Sequence, residues 1–278
     1  MNGTRKNLSA TLVLIFLLLI PVVSQADLIL GVHPYLDSET IKKRFAPLAE
    51  YLSEKLETNV EVRVGKDYES HIETIGNDHI DIAFLGPASY VSLTEKYGSK
   101  PLLARLEANG KPSFSGHIIV RKESPLQKID DLKNTFFAFG DKSSTMSTLV
   151  PKAVLKQNNI SLDDLTGYRH FKGHKNVAIA VLAGDADAGA VKEEILTSYE
   201  SRGLRSLAKL PDISEHLFVT SSDLHPAMVK KIREIMLSIN QPEMVAVTLQ
   251  PIKKKITGLE SVKDSDYDSL RELILLTK

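Results

Sequence analysis

The chain has 278 residues, 42% of them hydrophobic, with 35 Lys+Arg against 35 Asp+Glu and no cysteine. A formal charge of zero argues against nucleic acid as a partner, because phosphate backbones select basic surfaces. The absence of thiols excludes disulfide scaffolds, thiol catalysis and cysteine-bound zinc, and only 15 Gly and 12 Pro exclude a fibrous or low-complexity chain.

The first segment reads as an address. Arg5 and Lys6 form a basic start, Leu12 to Ile20 is an unbroken apolar run, Pro21 follows, and Ser24-Gln25-Ala26 offers small residues at a cleavage site. The run is short for a membrane span, which needs about 20 residues; a retained N-terminal anchor is the competing reading. Removing residues 1–26 leaves 252 of 278, and with Arg5 and Lys6 gone 33 basic residues face 35 acidic ones, a net charge of −2. The expectation is an exported, soluble protein. Without disulfides, the bacterial periplasm is the compartment that fits.

The remainder alternates strands and helices. Leu28 to Val32 reads as a buried strand. Ser38 is placed to cap a helix whose apolar positions Ile41, Phe45, Leu48, Leu52 and Leu56 recur at threes and fours, with Pro47 inside it. Val60, Val62 and Val64 alternate with Glu61 and Arg63 as a half-buried strand does. Tyr68 to Ile75 reads as a short helix, Ile80 to Leu85 as a strand broken by Gly86-Pro87, and Pro87 to Tyr97 as a helix. The pattern restarts at Gly116: strand Ile118 to Val120, a helical turn Ile129 to Leu132, strand Phe136 to Phe139, and a polar turn Asp141 to Thr148. Helix Val150 to Lys156, a strand ending at Phe171, helix His174 to Ala183 capped by Gly184, strand Asp187 to Val191 and helix Glu193 to Tyr199 follow. Leu224, Met228, Ile232, Ile235 and Met236 mark a late amphipathic helix. Repeated strand–helix–strand units predict an α/β fold of parallel sheets with helices on both faces, and the restart predicts two similar lobes joined by short crossing strands.

Candidate chemistry concentrates at strand ends. Asp141 to Thr148 carries five hydroxyl side chains in eight residues, between a strand and a helix. A helix start leaves backbone N–H groups unpaired and is partly positive, so these hydroxyls and amides suit a tetrahedral oxyanion. Ordinary capping needs only one of them. Gly173-His174 opens a second helix, where an imidazole N–H can donate to an anion whose charge would favour its protonation; a capping or surface histidine is the plainer alternative. Gly86 lets backbone approach a ligand beyond a strand's carboxyl end. Tyr90 follows it, on a helix where a core role competes, and Tyr68 sits beyond the second strand. No metal is expected: His170 and His174 straddle a change of structure, and His71 and His79 do not share a helical face. No nucleophile elbow, P-loop, zinc helix or dinucleotide fingerprint occurs, and Glu193-Glu194 suits the start of a helix. Capture is expected, without turnover or cofactor.

Three stretches resemble the PhnD-like phosphate-, phosphite- and phosphonate-binding periplasmic proteins of ABC importers, over roughly Leu28 to Met236. They are Asp81 to Tyr90 (D-I-A-F-L-G-P-x-x-Y), Asp141 to Pro151, and Gly173-His174 with Ala180 to Ala190. The resemblance implies a class II periplasmic binding protein fold, two α/β lobes around a ligand cleft, with residues 27–117 and 218–278 in lobe 1 and 118–217 in lobe 2. It implies that Ser144 and Thr145 hold a phosphorus oxyanion, that His174 and Tyr68 lie beside it, and that Glu194 falls near a position facing a ligand amine. Met146 stands where a third Ser is usual and Ser147 where Gly is usual; the Met146 amide, Ser143 or Ser147 would compensate. The implied partners are a small oxyanion and either an ABC permease or a membrane sensor protein, with the chain a monomer.

Overall fold

The computed structural model describes residues 27–277; the expected leader, residues 1–26, lies outside them. In chain order the elements are β1 (Leu28–Val32), α1 (Ser38–Leu56), β2 (Val60–Val64), α2 (Tyr68–Gly76), β3 (Ile82–Leu85), α3 (Pro87–Tyr97) and β4 (Leu102–Ala108). Next come β5 (Ser113–Phe114), β6 (Gly116–Arg121), β7 (Phe136–Phe139), α4 (Val150–Gln157), β8 (Gly167–His170), α5 (His174–Ala183), β9 (Ala188–Lys192), α6 (Glu193–Tyr199) and β10 (Leu204–Lys209). The chain ends with β11 (Ile213–Ser214), β12 (Leu217–Thr220), α7 (Pro226–Leu237), α8 (Pro242–Thr248), β13 (Ile256–Glu260) and α9 (Asp268–Leu275).

Two sheets organise these elements. One is six-stranded, in the order β13-β4-β12-β3-β1-β2, and the other five-stranded, β10-β6-β9-β7-β8. The first draws on residues 28–108 and 217–260; the second is contiguous from Gly116 to Lys209, so its opening strand starts two residues ahead of the expected boundary at 118. Two crossings join the sheets, and β5 pairs with β11 between them through Ser113↔Ser214 and Phe114↔Ile213.

The expectation of parallel sheets holds for three strands of each. The β2–β1–β3 and β8–β7–β9 groups are parallel. However, β12 runs antiparallel to both β3 and β4, β13 antiparallel to β4, and β6 antiparallel to β9 and β10. The crossings dictate this. The chain leaves the first sheet along β4, in the direction of β3, and enters the second along β6, away from the first. It then returns through β10, β11 and β12. A strand arriving from the cleft must oppose one that points at it. The carboxyl ends of β1, β3, β7, β8 and β9 therefore all face the space between the sheets, where ligands of open α/β sheets bind.

The local forces are ordinary ones. Asp37, one residue before the expected Ser38, caps α1 by accepting the Thr40 N–H at 2.9 Å. Ile41, Phe45, Leu48, Leu52 and Leu56 of α1 are all buried against the first sheet with α7 and α8, each completely buried side chain being worth about 1.5–3 kcal/mol. α1 ends where Glu57 adopts a left-handed φ of 57°. In each sheet an aspartate stitches neighbouring parallel strands: Asp81 accepts the Ile29 N–H and Asp187 the Phe136 N–H, both at 2.8 Å. This gives a structural role to the aspartates of the D-I-A and D-A-G-A stretches. No helix among the described residues is long and apolar enough to cross a membrane.

Candidate anion-binding cleft

The cradle begins where β7 ends. The Gly140 N–H donates to the Ser147 carbonyl at 2.9 Å, and its own carbonyl accepts from His170 Nδ1 at 2.7 Å. A β-carbon at position 140 would lie 1.9 Å from Ser147 Oγ, so only glycine allows the loop to fold back this closely. Asp141 fixes the turn by accepting the Ser143 N–H on its side chain and the Ser144 N–H on its carbonyl, each at 2.9 Å. Ser144 then caps a wide π-turn, Thr145–Leu149, which runs directly into α4. Part of the expected polar turn is thus already helical, and its first amides lack intrahelical acceptors.

The hydroxyls are arranged as donors. Ser147 Oγ donates to Ser144 Oγ at 2.8 Å, and the Ala88 N–H at the start of α3 donates to Thr145 Oγ1 at 3.1 Å. Each accepting oxygen keeps its own hydrogen to give, and chained hydroxyls reinforce one another. The Ala88–Thr145 bond also brings the first sheet's α3 onto the second sheet's cradle. Ser144, Thr145, Ser147 and Thr148 are all buried, and Thr148 Oγ1 has no hydrogen-bond partner among the described residues.

The Met146 side chain is not part of the cleft. It is buried in the core, with its Cβ about where a β-carbon on Gly116 would press at 3.2 Å; only its amide remains for a ligand. Tyr90 departs likewise. Its ring is wholly buried against Tyr267 at 4.8 Å between centroids, and its hydroxyl donates to Asp264 at 2.6 Å. It is a core residue joining α3 to the C-terminal segment.

The other expected residues do converge. Tyr68, the first residue of α2, packs its ring tilted against that of His33, 5.2 Å between centroids. Burial, reinforced by Asp141 of the cradle loop, raises its pKa, so the phenol stays a donor. His174 opens α5, and its Nδ1 accepts the Lys192 N–H at 3.3 Å. Burial first, then the Lys192 and His216 charges, lowers its pKa to about 3. The ring is neutral with its hydrogen on Nε2, a donor without charge. Gly86 caps α3 with its α-carbon turned to His216, whose Nε2 would lie 3.5 Å from an added Cβ. Glu194 is partly exposed and paired with Lys192 at 3.2 Å and Lys253 at 3.5 Å. Ser143 is half-buried in the Asp141 turn.

Sequence reasoning missed the ring-lined wall opposite the cradle. His33, at the end of β1, is stacked with Phe84 at 5.5 Å and with His216 at 5.6 Å, and lies 5.1 Å from Tyr35. Phe114 of β5 lies 5.2 Å from His216. His33 Nδ1 and His71 Nε2 both donate to the Phe84 carbonyl, at 3.3 and 3.2 Å. Burial lowers both rings' pKa, His71 to about 4. His33 had a usable signal, since it directly follows an apolar strand and such ends face ligands. Among the described residues no three His, Cys, Asp or Glu side chains are grouped to hold a metal ion.

The family model for the ABC transporter phosphonate periplasmic substrate-binding protein matches residues 30–267. The chain belongs to this family. It is 26% identical to the phosphonates-binding periplasmic protein of Escherichia coli over 221 residues, 75% of this chain and 65% of that protein. It is 23% identical to the phosphate-import protein PhnD of Mycolicibacterium smegmatis, over 89% of this chain and 85% of the relative. A methylphosphonate complex of PhnD1 from Prochlorococcus marinus superposes with a TM-score of 0.77 at 19% identity, covering 89% of this chain and 96% of the other. The binding component of a Pseudomonas aeruginosa ABC phosphonate transporter gives 0.78 at 22%, covering 90% and 86%. These structures share the two-lobed periplasmic binding protein fold, and the family places the chain among periplasmic components of ABC transporters.

Proposed function

We propose that this chain captures a small phosphorus oxyanion (phosphonate, phosphite or phosphate) between its two lobes and presents it to the permease of an ABC importer. The observation that carries this reading is the meeting of the Ser144–Ser147 cradle with the start of α3, across the Ala88–Thr145 hydrogen bond. There the internal acceptors are already used, and what faces the cleft is a surplus of donors: hydroxyl hydrogens, first-turn amides, the Tyr68 phenol and the His174 Nε2–H. A polyanionic guest with several acceptor oxygens and no need to give a proton matches that set. Closing the lobes removes water and strengthens each bond. The relatives named for phosphonates and phosphate import agree with this chemistry.

Titration calorimetry with methylphosphonate, phosphite and phosphate, with sulfate as the control anion, tests the reading. Thr145→Ala removes one charge-assisted hydrogen bond, about 1.5–3 kcal/mol, so affinity is expected to fall by roughly ten- to a hundredfold. Unchanged affinity in that variant, or no heat from any phosphorus oxyanion with the unaltered protein, sinks the proposal.

A further inference from the structure

Beyond the cradle, the cleft is bounded by a chain of alternating charges. Lys192 Nζ lies 3.2 Å from Glu194, Glu194 lies 3.5 Å from Lys253 Nζ, and Lys253 continues to Glu215. Glu215 is completely buried and also accepts from the backbone N–H of His216 at 3.0 Å and from its Nδ1 at 2.9 Å. Lys253 belongs to the segment after α8, on the first sheet, whereas Lys192 ends the second sheet's β9 and Glu194 lies in α6 directly after it. Its ammonium lies 5.4 Å over the Phe114 ring, and Phe114 touches His216, which faces Gly86 at the start of α3. The network is therefore continuous with the anion cleft.

Two carboxylates face two ammonium groups and the His216 imidazole here. Glu215 has three donors and no exposed face; Glu194 is held by two lysines. Burial pushes the Glu215 carboxyl up, but His216 and Lys253 outweigh it and bring it down to about 2. Burial likewise lowers Lys253, and Glu215 with Glu194 outweigh that and raise it. Both partners stay ionised. A cationic arm reaching this network would find both of its carboxylates already paired, and would approach two fixed ammonium groups in a partly dry cleft, where like charges repel strongly.

We infer that Lys253 determines specificity: by occupying Glu194 and Glu215 from within, it restricts the cleft to phosphorus oxyanions whose organic substituent, if present, is uncharged. This rests on the reading of the cleft given above. The test is calorimetry on the intact chain with methylphosphonate, ethylphosphonate and 2-aminoethylphosphonate. The last two match in length and differ in the ammonium group. Ethylphosphonate is expected to bind at least about tenfold more tightly than 2-aminoethylphosphonate. In Lys253→Met, which keeps the length without the charge, that ratio is expected to shrink at least about tenfold, as Glu194 keeps only Lys192 as a partner and its second oxygen can take the amine. A purely structural role for Lys253 would lower affinity for both ligands and leave the ratio unmoved, which overturns the inference. So does 2-aminoethylphosphonate binding the unaltered protein as tightly as ethylphosphonate, a comparison that does not depend on the variant folding. Binding of none of the three overturns the reading of the cleft, and this inference with it.

Discussion

The two walls of the cleft are built on opposite plans. The second sheet offers a cradle made from eight consecutive residues, Gly140 to Ser147, held almost entirely by bonds within itself. The first sheet and the crossings offer rings drawn from separate segments: His33, Phe84 and His216 are stacked, Phe114 lies tilted against His216, and His33 and His71 share the Phe84 carbonyl. The cradle gains its donors from backbone geometry, which titration does not alter. The ring wall is uncharged at His33 and His71 only because it is buried, so it answers to pH. On the proposed reading of the cleft, the contrast separates two tasks, holding charge and excluding water, and assigns them to different sheets.

Three changes would break or sharpen this contrast. Met146→Ser restores the family's hydroxyl at a position whose side chain lies in the core. It is expected to cost about 2–5 kcal/mol of stability in denaturant melts, as buried large-to-small changes do, with no gain in methylphosphonate affinity. A gain in affinity would show that the residue 146 side chain can reach the cleft. Gly140→Ala drives a β-carbon into Ser147. A stability loss of about 1–3 kcal/mol is expected from overpacking, with at least a tenfold weaker anion affinity, roughly 1.4 kcal/mol or more by calorimetry, as the cradle opens. Equal losses of affinity from conservative changes on the ring wall would dissolve the distinction.

The smallest effect concerns pH. The His71 ring titrates near 6.5 when unfolded and near 4 when folded. The unfolded chain therefore binds more protons in that window. The stability carried by the neutral ring is complete above pH 6.5 and is lost as pH falls toward 4. At pH 5.5 the loss from this one ring is about 1.4 kcal/mol. Melting temperatures between pH 7 and 5 should fall less steeply in His71→Gln, whose amide N–H can replace the bond to the Phe84 carbonyl. An unchanged slope would place the pH response elsewhere.

How much the sequence disclosed follows the same division. The cradle was legible because its logic is local: a strand, a tight turn, hydroxyls and a helix start in one stretch. Strands β1, β2, β3 and β7 and helices α1 and α7 were legible from periodicity alone. The ring wall was not, because its residues lie far apart in the sequence and His216 joins His33 and Phe114 only after the chain has crossed between sheets twice. Nor were β4, β12 and β13, whose antiparallel insertion depends on the crossings and leaves no periodic mark in four to seven residues. Tyr90 and Met146 both lie in cleft-forming motifs with their side chains in the core, the competing role for Tyr90 and the reason only the amide of Met146 was counted.

The threading of β12 has a consequence for biogenesis. The five-stranded sheet is one unbroken stretch, Gly116 to Lys209, able to close as soon as it emerges, whereas β3 and β4 must wait for a partner strand encoded a hundred residues downstream of β4. The amino-terminal half thus travels with two exposed strand edges until synthesis is nearly complete, the interval in which non-local pairing is slow and self-association is most favoured. Assembly order is inverted with respect to chain order: the later lobe is the template on which the earlier one is finished.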